Sequence, residues 1–193
     1  MKISVLILIL FIAFQSYAQD SIKVLFLYGS KPNTKDEPKM FGGIHGGHVS
    51  VQYKSGYASF IPHNGFHYYA KKKKYSKWVI EKENSFVFDT TDSRYLILTI
   101  PISTQQKNAI DSILTQRLES TQYDYAFIGM RCASAAYEVL SNANIYPKIS
   151  LGRMKMKYFY PKLLRKKMLK KAKIKHWKFI FRKGKGTRQW EKD

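Results

Sequence analysis

The chain predicts an α+β domain in which an antiparallel sheet is laid down first and helices follow. Short runs of β-branched and aromatic residues, separated by turn residues, fill the stretch from Ile22 to Ile100. Past Pro101 the apolar spacing changes to the helical period. No internal repeat is visible, and strands followed by helices are the order of an α+β fold rather than of alternating βα units.

The first segment is set apart by composition. Lys2 is followed by a nearly unbroken apolar run, Ile3 to Phe14, and by Ser16-Tyr17-Ala18, which gives small residues at the −3 and −1 positions before Gln19. This is the three-part pattern of a cleaved export signal over residues 1–18, with an apolar stretch shorter than the roughly 20 residues of a membrane span. No cysteine follows the cleavage position, so the pattern is not that of a lipid-anchored protein. A mature chain starting at Gln19, exported to the periplasm or secreted, is the expectation.

Residues 19–150 form one domain's worth of chain, expected to be monomeric. Ile22 to Tyr28 reads as a strand entering the core, and the Pro- and Asn-containing stretch Gly29 to Met40 as a loop. Gly42-Gly43-Ile44-His45-Gly46-Gly47 permits close backbone approach. His48 to Tyr53 alternates as a strand does, Lys54-Ser55-Gly56 turns it, and Tyr57 to Ile61 returns as a hairpin partner ending at Pro62-His63. Lys71 to Lys74 is a solvated like-charge run. Trp78 to Ile80, Ser85 to Phe88 and Tyr95 to Ile100 complete the strands.

Two helices follow. Ala109, Ile110, Ile113, Leu114 and Leu118 recur at helical spacing, and Ser103 with Gln106 is a capping-box signature, which predicts a helix over 104–119. After a Tyr-rich loop, Cys132, Ala133, Ala136, Val139 and Leu140 predict a second helix starting at or just before the cysteine and ending near Asn142 to Asn144.

Cys132 is the only cysteine. In an exported protein it has no partner for an internal disulfide, so it is either a small buried hydrophobe or a reactive group. The first turn of a helix favours thiolate through the macrodipole and the unsatisfied N–H groups, and Arg131 acts in the same sense. A thiol nucleophile needs a proton acceptor, and imidazole suits that role near neutral pH. His48 heads a strand and His63 ends its hairpin partner, so the two lie on neighbouring strands. His45 competes for the role of base, and His67 in Phe66-His67-Tyr68-Tyr69 reads as a packed or surface residue. Tyr123 and Tyr125 read as core or cleft-wall aromatics.

A histidine opening a strand (Gly46-Gly47-His48-Val49-Ser50-Val51), a polar residue ending the next (Phe60-Ile61-Pro62-His63), a helix, a Tyr-containing loop and a cysteine opening the following helix form a recognisable order. Over residues 22–145 this resembles the circularly permuted papain-like group of the NlpC superfamily, which includes lecithin retinol acyltransferase-like enzymes and bacterial permuted amidases. The resemblance implies an antiparallel sheet packed on helices, with Cys132 as nucleophile, His48 as base and His63 as the orienting third residue. It also implies attack on an amide or ester carbonyl of a wall peptide or acyl lipid, with no cofactor. The group often has Asn before the cysteine, where this chain has Arg131.

Two other readings stand beside it. The four histidines His45, His48, His63 and His67 offer imidazole ligands to a metal such as zinc, although no carboxylate or second cysteine completes a recognised spacing. A catalytically idle binding module is the other.

Charge divides the chain. Residues 19–150 hold sixteen Lys/Arg against eleven Asp/Glu, whereas residues 151–193 hold seventeen against two. This basic C-terminal extension interleaves its cations with Met, Leu, Ile, Trp and Phe. Pro161 onward reads as a short amphipathic helix, and Trp177 to Arg182 as a strand or interfacial anchor. Export disfavours nucleic acid as its partner, and the apolar interleaving suits an anionic envelope surface of lipid headgroups or cell-wall polymer.

Overall fold

A computed structural model of the chain describes residues 20–29, 47–63, 67–70, 76–82 and 94–183. The export signal, His45, Lys71 to Lys74, the strand expected over Ser85 to Phe88 and nearly all of the loop from Gly29 to Met40 lie outside the described residues.

The architecture is α+β, with one six-stranded antiparallel sheet carrying helices. Its strands are β1 (Asp20–Leu27), β2 (His48–Tyr53), β3 (Gly56–Pro62), β5 (Ser76–Lys82), β6 (Tyr95–Ile102) and β8 (Phe179–Arg182). They lie in the order β5-β3-β2-β1-β6-β8. β4 (His67–Tyr69) and β7 (Ala126–Ile128) form a separate parallel pair, so the Tyr-rich loop holds a strand of its own.

Alternation along β2 sorts its residues between two environments. Val49, Val51 and Tyr53 join the main core with Val24, Phe26, Ala58 and Phe60. Ser50 faces Ser59 on the other side, where Leu25, Tyr57 and Tyr95 form a smaller cluster. A hairpin with a two-residue turn sets this register, with Lys54 in the left-handed region at φ 51°.

Helix α1 (Thr104–Glu119) opens on the expected capping box: Ser103 Oγ accepts from the Gln106 N–H, and Gln106 Oε1 accepts from the Ser103 N–H. Ile110 and Leu114 bury its inner face, and Tyr53 Oη lies 2.8 Å from Thr115 Oγ1. Helix α2 (Cys132–Asn142) is buried at every position from Cys132 to Ser141, which its run of Ala and Ser permits by letting neighbours approach closely. It packs on β2 and β3 and is flanked by α1, α3 (Leu151–Lys157) and α4 (Pro161–Lys175).

The basic extension is built into this domain. α4 buries Leu164, Met168 and Ala172 in the main core, and β8 pairs with β6 from Tyr95↔Arg182 to Leu98↔Phe179. Arg165 is wholly buried, its guanidinium 3.5 Å above the centre of the Tyr28 ring. Among the described residues no helix is long and apolar enough to cross a membrane.

Candidate active site

Cys132 is the first residue of α2, and Arg131 is the N-cap, in extended backbone (φ −135°, ψ 173°). Ser134 fixes this start: its Oγ accepts from the Arg131 N–H at 2.8 Å and donates to the Arg131 carbonyl at 3.0 Å. The approach to the helix is held as well. Tyr125 bridges to Met130, the Ala126 N–H donates to the Met130 carbonyl, and the Tyr125 ring packs 5.3 Å from that of Phe60.

The thiol is 2% exposed. The Tyr125 hydroxyl lies 3.9 Å from its sulfur, and the backbone N–H groups of Val49 and Ala133 act on it electrostatically. Burial pushes the Cys132 pKa up and is the largest influence. The Arg131 guanidinium pulls it back down, as do the Val49 N–H, the Tyr125 hydroxyl and the Ala133 N–H. The outcome is a thiol raised above its ordinary range, protonated at neutral pH. Tyr125 is shifted up as well, mainly by burial and then by the charge of Cys132.

His48 opens β2, and the alternation of the strand sets its side chain on the side of Ser50, opposite the face on which Val49 meets the core that holds Cys132. Burial pushes its pKa below the ordinary value, so the ring is neutral at neutral pH, while the Glu81 carboxylate pulls the other way. Glu81 lies on β5 and is raised by burial, against the hydrogen bond from Ser59, the charge of His48 and the hydrogen bond from Ser50. Ser59 Oγ donates to Glu81 Oε2 at 2.5 Å, and the Ser50 and Ser59 hydroxyl oxygens are 2.7 Å apart. His48, Ser50, Ser59 and Glu81 thus form a polar cluster across three neighbouring strands. The thiol meets β2 along its backbone, and the imidazole belongs to this cluster.

His63 stands just past the end of β3 and is exposed, whereas Glu81 is the charged group that acts on His48. His67 lies on β4, half-buried. Among the described residues no group of three or more His, Cys, Asp and Glu side chains is placed to hold a metal ion, and His45 lies outside them.

Sequence reasoning missed Glu81 because a carboxylate on a strand reads as a solvated edge residue. Its mark is visible afterwards: Ser50 and Ser59 are hydroxyl residues in otherwise apolar strands, and burying them demands hydrogen-bond partners. Tyr125, a core or cleft-wall aromatic on the sequence reading, lies in the buried core with its hydroxyl 3.9 Å from the thiol.

A pocket of about 360 Å³ opens beside the loop that leads into Cys132, lined by Phe127, Ile128, Gly129, Gly152, Lys155, Met156 and Phe159. The Arg131 guanidinium lies 5.4 Å from the centre of the Phe127 ring at its wall. Compared with family models, curated proteins and solved structures, the chain matches none.

Proposed function

We propose that the chain is an exported cysteine hydrolase or acyltransferase of the permuted papain-like kind, acting on an amide or ester bond of a wall peptide or acyl lipid. The observation that supports it most is the setting of Cys132: the first residue of a central helix, with the backbone of Val49 and Ala133 and the nearby Arg131 all favouring its thiolate and the Tyr125 hydroxyl 3.9 Å from its sulfur. N–H groups so placed stabilise negative charge on sulfur, and the same kind of donor stabilises the oxyanion of an attacked carbonyl.

With a thiol protonated and an imidazole neutral at rest, the chemistry is general-base attack rather than reaction of a standing ion pair. The His48 ring takes the thiol proton as Sγ bonds to the carbonyl carbon, a step that requires the ring to turn from the Ser50 side of β2 toward the core that holds Cys132. The proton then passes to the leaving nitrogen or oxygen as its bond to carbon breaks, and a thioester remains. Water or another acceptor, deprotonated by His48, attacks the thioester and frees Cys132. The charge of Glu81 favours the imidazolium that forms on the way; the sequence reading gave the orienting role to His63, which stands exposed past the end of β3.

The test is to incubate the protein with wall peptides and with acyl lipids and to look for an acyl adduct on Cys132 by mass spectrometry. Adduct formation and turnover, both absent from Cys132→Ala, are the expected result. Equal turnover by Cys132→Ala, with no adduct on the native protein, would sink the reading.

The near-complete burial of the thiol favours a second reading, a catalytically idle binding module that keeps the fold. Under it, no substrate would increase the rate at which alkylating agents or acyl probes reach Cys132.

A further inference from the structure

We infer that the surface formed by β4, β7 and α3 is a docking face for an anionic lipid bilayer, with Met156 and Ile128 entering the interface. Tyr68 and Tyr69 are 69% and 67% exposed, and Met156 is 71% exposed. Tyr69 pairs with Ile128 across the parallel strands, and the Tyr68 ring lies 5.6 Å from that of Phe127. Phe127, Ile128, Met156 and Phe159 thus share the wall of one pocket, with Tyr68 packed on Phe127 and Tyr69 beside Ile128 at its edges. Large apolar side chains gathered on a soluble face mark an interaction site rather than scattered exposure.

Charge identifies the occupant. α3 carries Arg153, Lys155 and Lys157 with no acidic residue among its seven, and Lys155 lines the pocket itself. α4 follows with Lys162, Lys166, Lys170 and Lys173. A protein partner with an apolar contact surface would meet this patch only if it were also strongly acidic. An anionic bilayer supplies both halves at once, with headgroup phosphates for the cations and acyl chains for the methionine and isoleucine. Tyrosine suits the boundary between them, having an apolar ring and a polar tip.

Met156 and Lys155 are neighbours with opposite tasks, and this makes the proposal testable. Flotation of the mature chain with vesicles of phosphatidylglycerol and phosphatidylcholine should show binding that weakens sharply on pure phosphatidylcholine. Met156→Lys adds a cation while removing the apolar contact, so charge alone predicts equal or tighter binding. Insertion predicts binding about tenfold weaker, the size set by burying one such side chain, with Met156→Leu restoring it. Lys155→Gln with Lys157→Gln should weaken binding about twenty-five-fold, each cation contributing roughly fivefold. Equal or tighter binding by Met156→Lys overturns the proposal, and so does capture by lipopolysaccharide or wall polymer with none by vesicles. Cys132→Ala should bind vesicles as the native chain does, so failure of the hydrolase reading leaves this result distinct.

Discussion

Ser59 donates its hydroxyl proton to Glu81 at 2.5 Å while lying 2.7 Å from Ser50, so one small side chain ties a carboxylate on β5 to the strand that His48 opens. The charge of Glu81 also bears on His48 and offsets part of the lowering that burial imposes on its pKa.

Replacing Glu81 with Gln keeps the shape and removes that charge. The His48 midpoint, followed through its ring protons by NMR, should move further down. The linkage sign follows from the direction of the shift. A buried histidine refuses a proton that the unfolded chain accepts, so stability attributable to His48 falls as pH drops below about 6.5 toward the folded value. Glu81→Gln should steepen that loss, and should slow turnover with its pH profile displaced if His48 is the base. An unmoved His48 midpoint would remove Glu81 from the site.

Cys132 titrates in the opposite sense. Its folded pKa lies above the unfolded one, so the stability it contributes is complete below about 8.5 and is lost as pH rises further. Cys132→Ala should flatten the loss between about pH 8.5 and 10, before tyrosines ionise. Iodoacetamide should label the resting protein with a midpoint above that of an ordinary thiol. Arg131→Ala should move that midpoint higher still, since Arg131 is the strongest of the groups pulling it down.

Gly47 enters β2 with φ +84°, and a Cβ there would lie 2.7 Å from the Leu27 carbonyl oxygen. Gly47→Ala combines a left-handed backbone with a clash against main chain that cannot swing away. A loss of about 1–3 kcal/mol is expected, read as a lowered Tm. Because the residue adjoins His48, turnover should fall with it, whereas Gly152→Ala, which meets nothing within 4 Å, should be tolerated.

What was legible in the sequence was what local periodicity and local chemistry determine. Helix α1 begins and ends where its spacing and capping box predict, and β2 spans His48 to Tyr53 as its alternation predicts. Placing Cys132 at the start of α2 needed only the Ala-rich helical pattern after it. Glu81 was not legible, since its position against His48 depends on β5 pairing with β3 and β3 with β2, and strand pairing is not written in any one segment. The short β4 and β7 strands were missed for the same reason: three residues of Tyr-rich chain gain strand character only from each other. In the extension, the helix from Pro161 and the strand within Trp177 to Arg182 were legible; that Leu164, Met168 and Ala172 turn into the domain core and that β8 extends its sheet were not, since both depend on packing against distant segments.

The helix that carries Cys132 is anchored at its middle by charge. Glu138 on α2 accepts from Arg117 Nη2 at 2.9 Å and from the Tyr123 hydroxyl at 2.5 Å, and the side chains of Arg117 and Glu138 are each 9% exposed. Burial and Glu138 together push the Tyr123 pKa up to about 12. Cutting this pair on one side leaves a buried guanidinium without its counter-charge, so Glu138→Ala should cost about 3–5 kcal/mol in denaturant unfolding. Tyr123→Phe, which removes one hydrogen bond to a charged acceptor, should cost only about 1.5–3 kcal/mol. Removing both charges together, as Arg117→Met with Glu138→Leu, should recover most of the loss, because packing replaces the pair and no charge is stranded. If the double variant is no more stable than Glu138→Ala, the pair contributes through something other than mutual neutralisation. If Glu138→Ala unfolds no more easily than the native chain, α2 is held by its apolar faces alone.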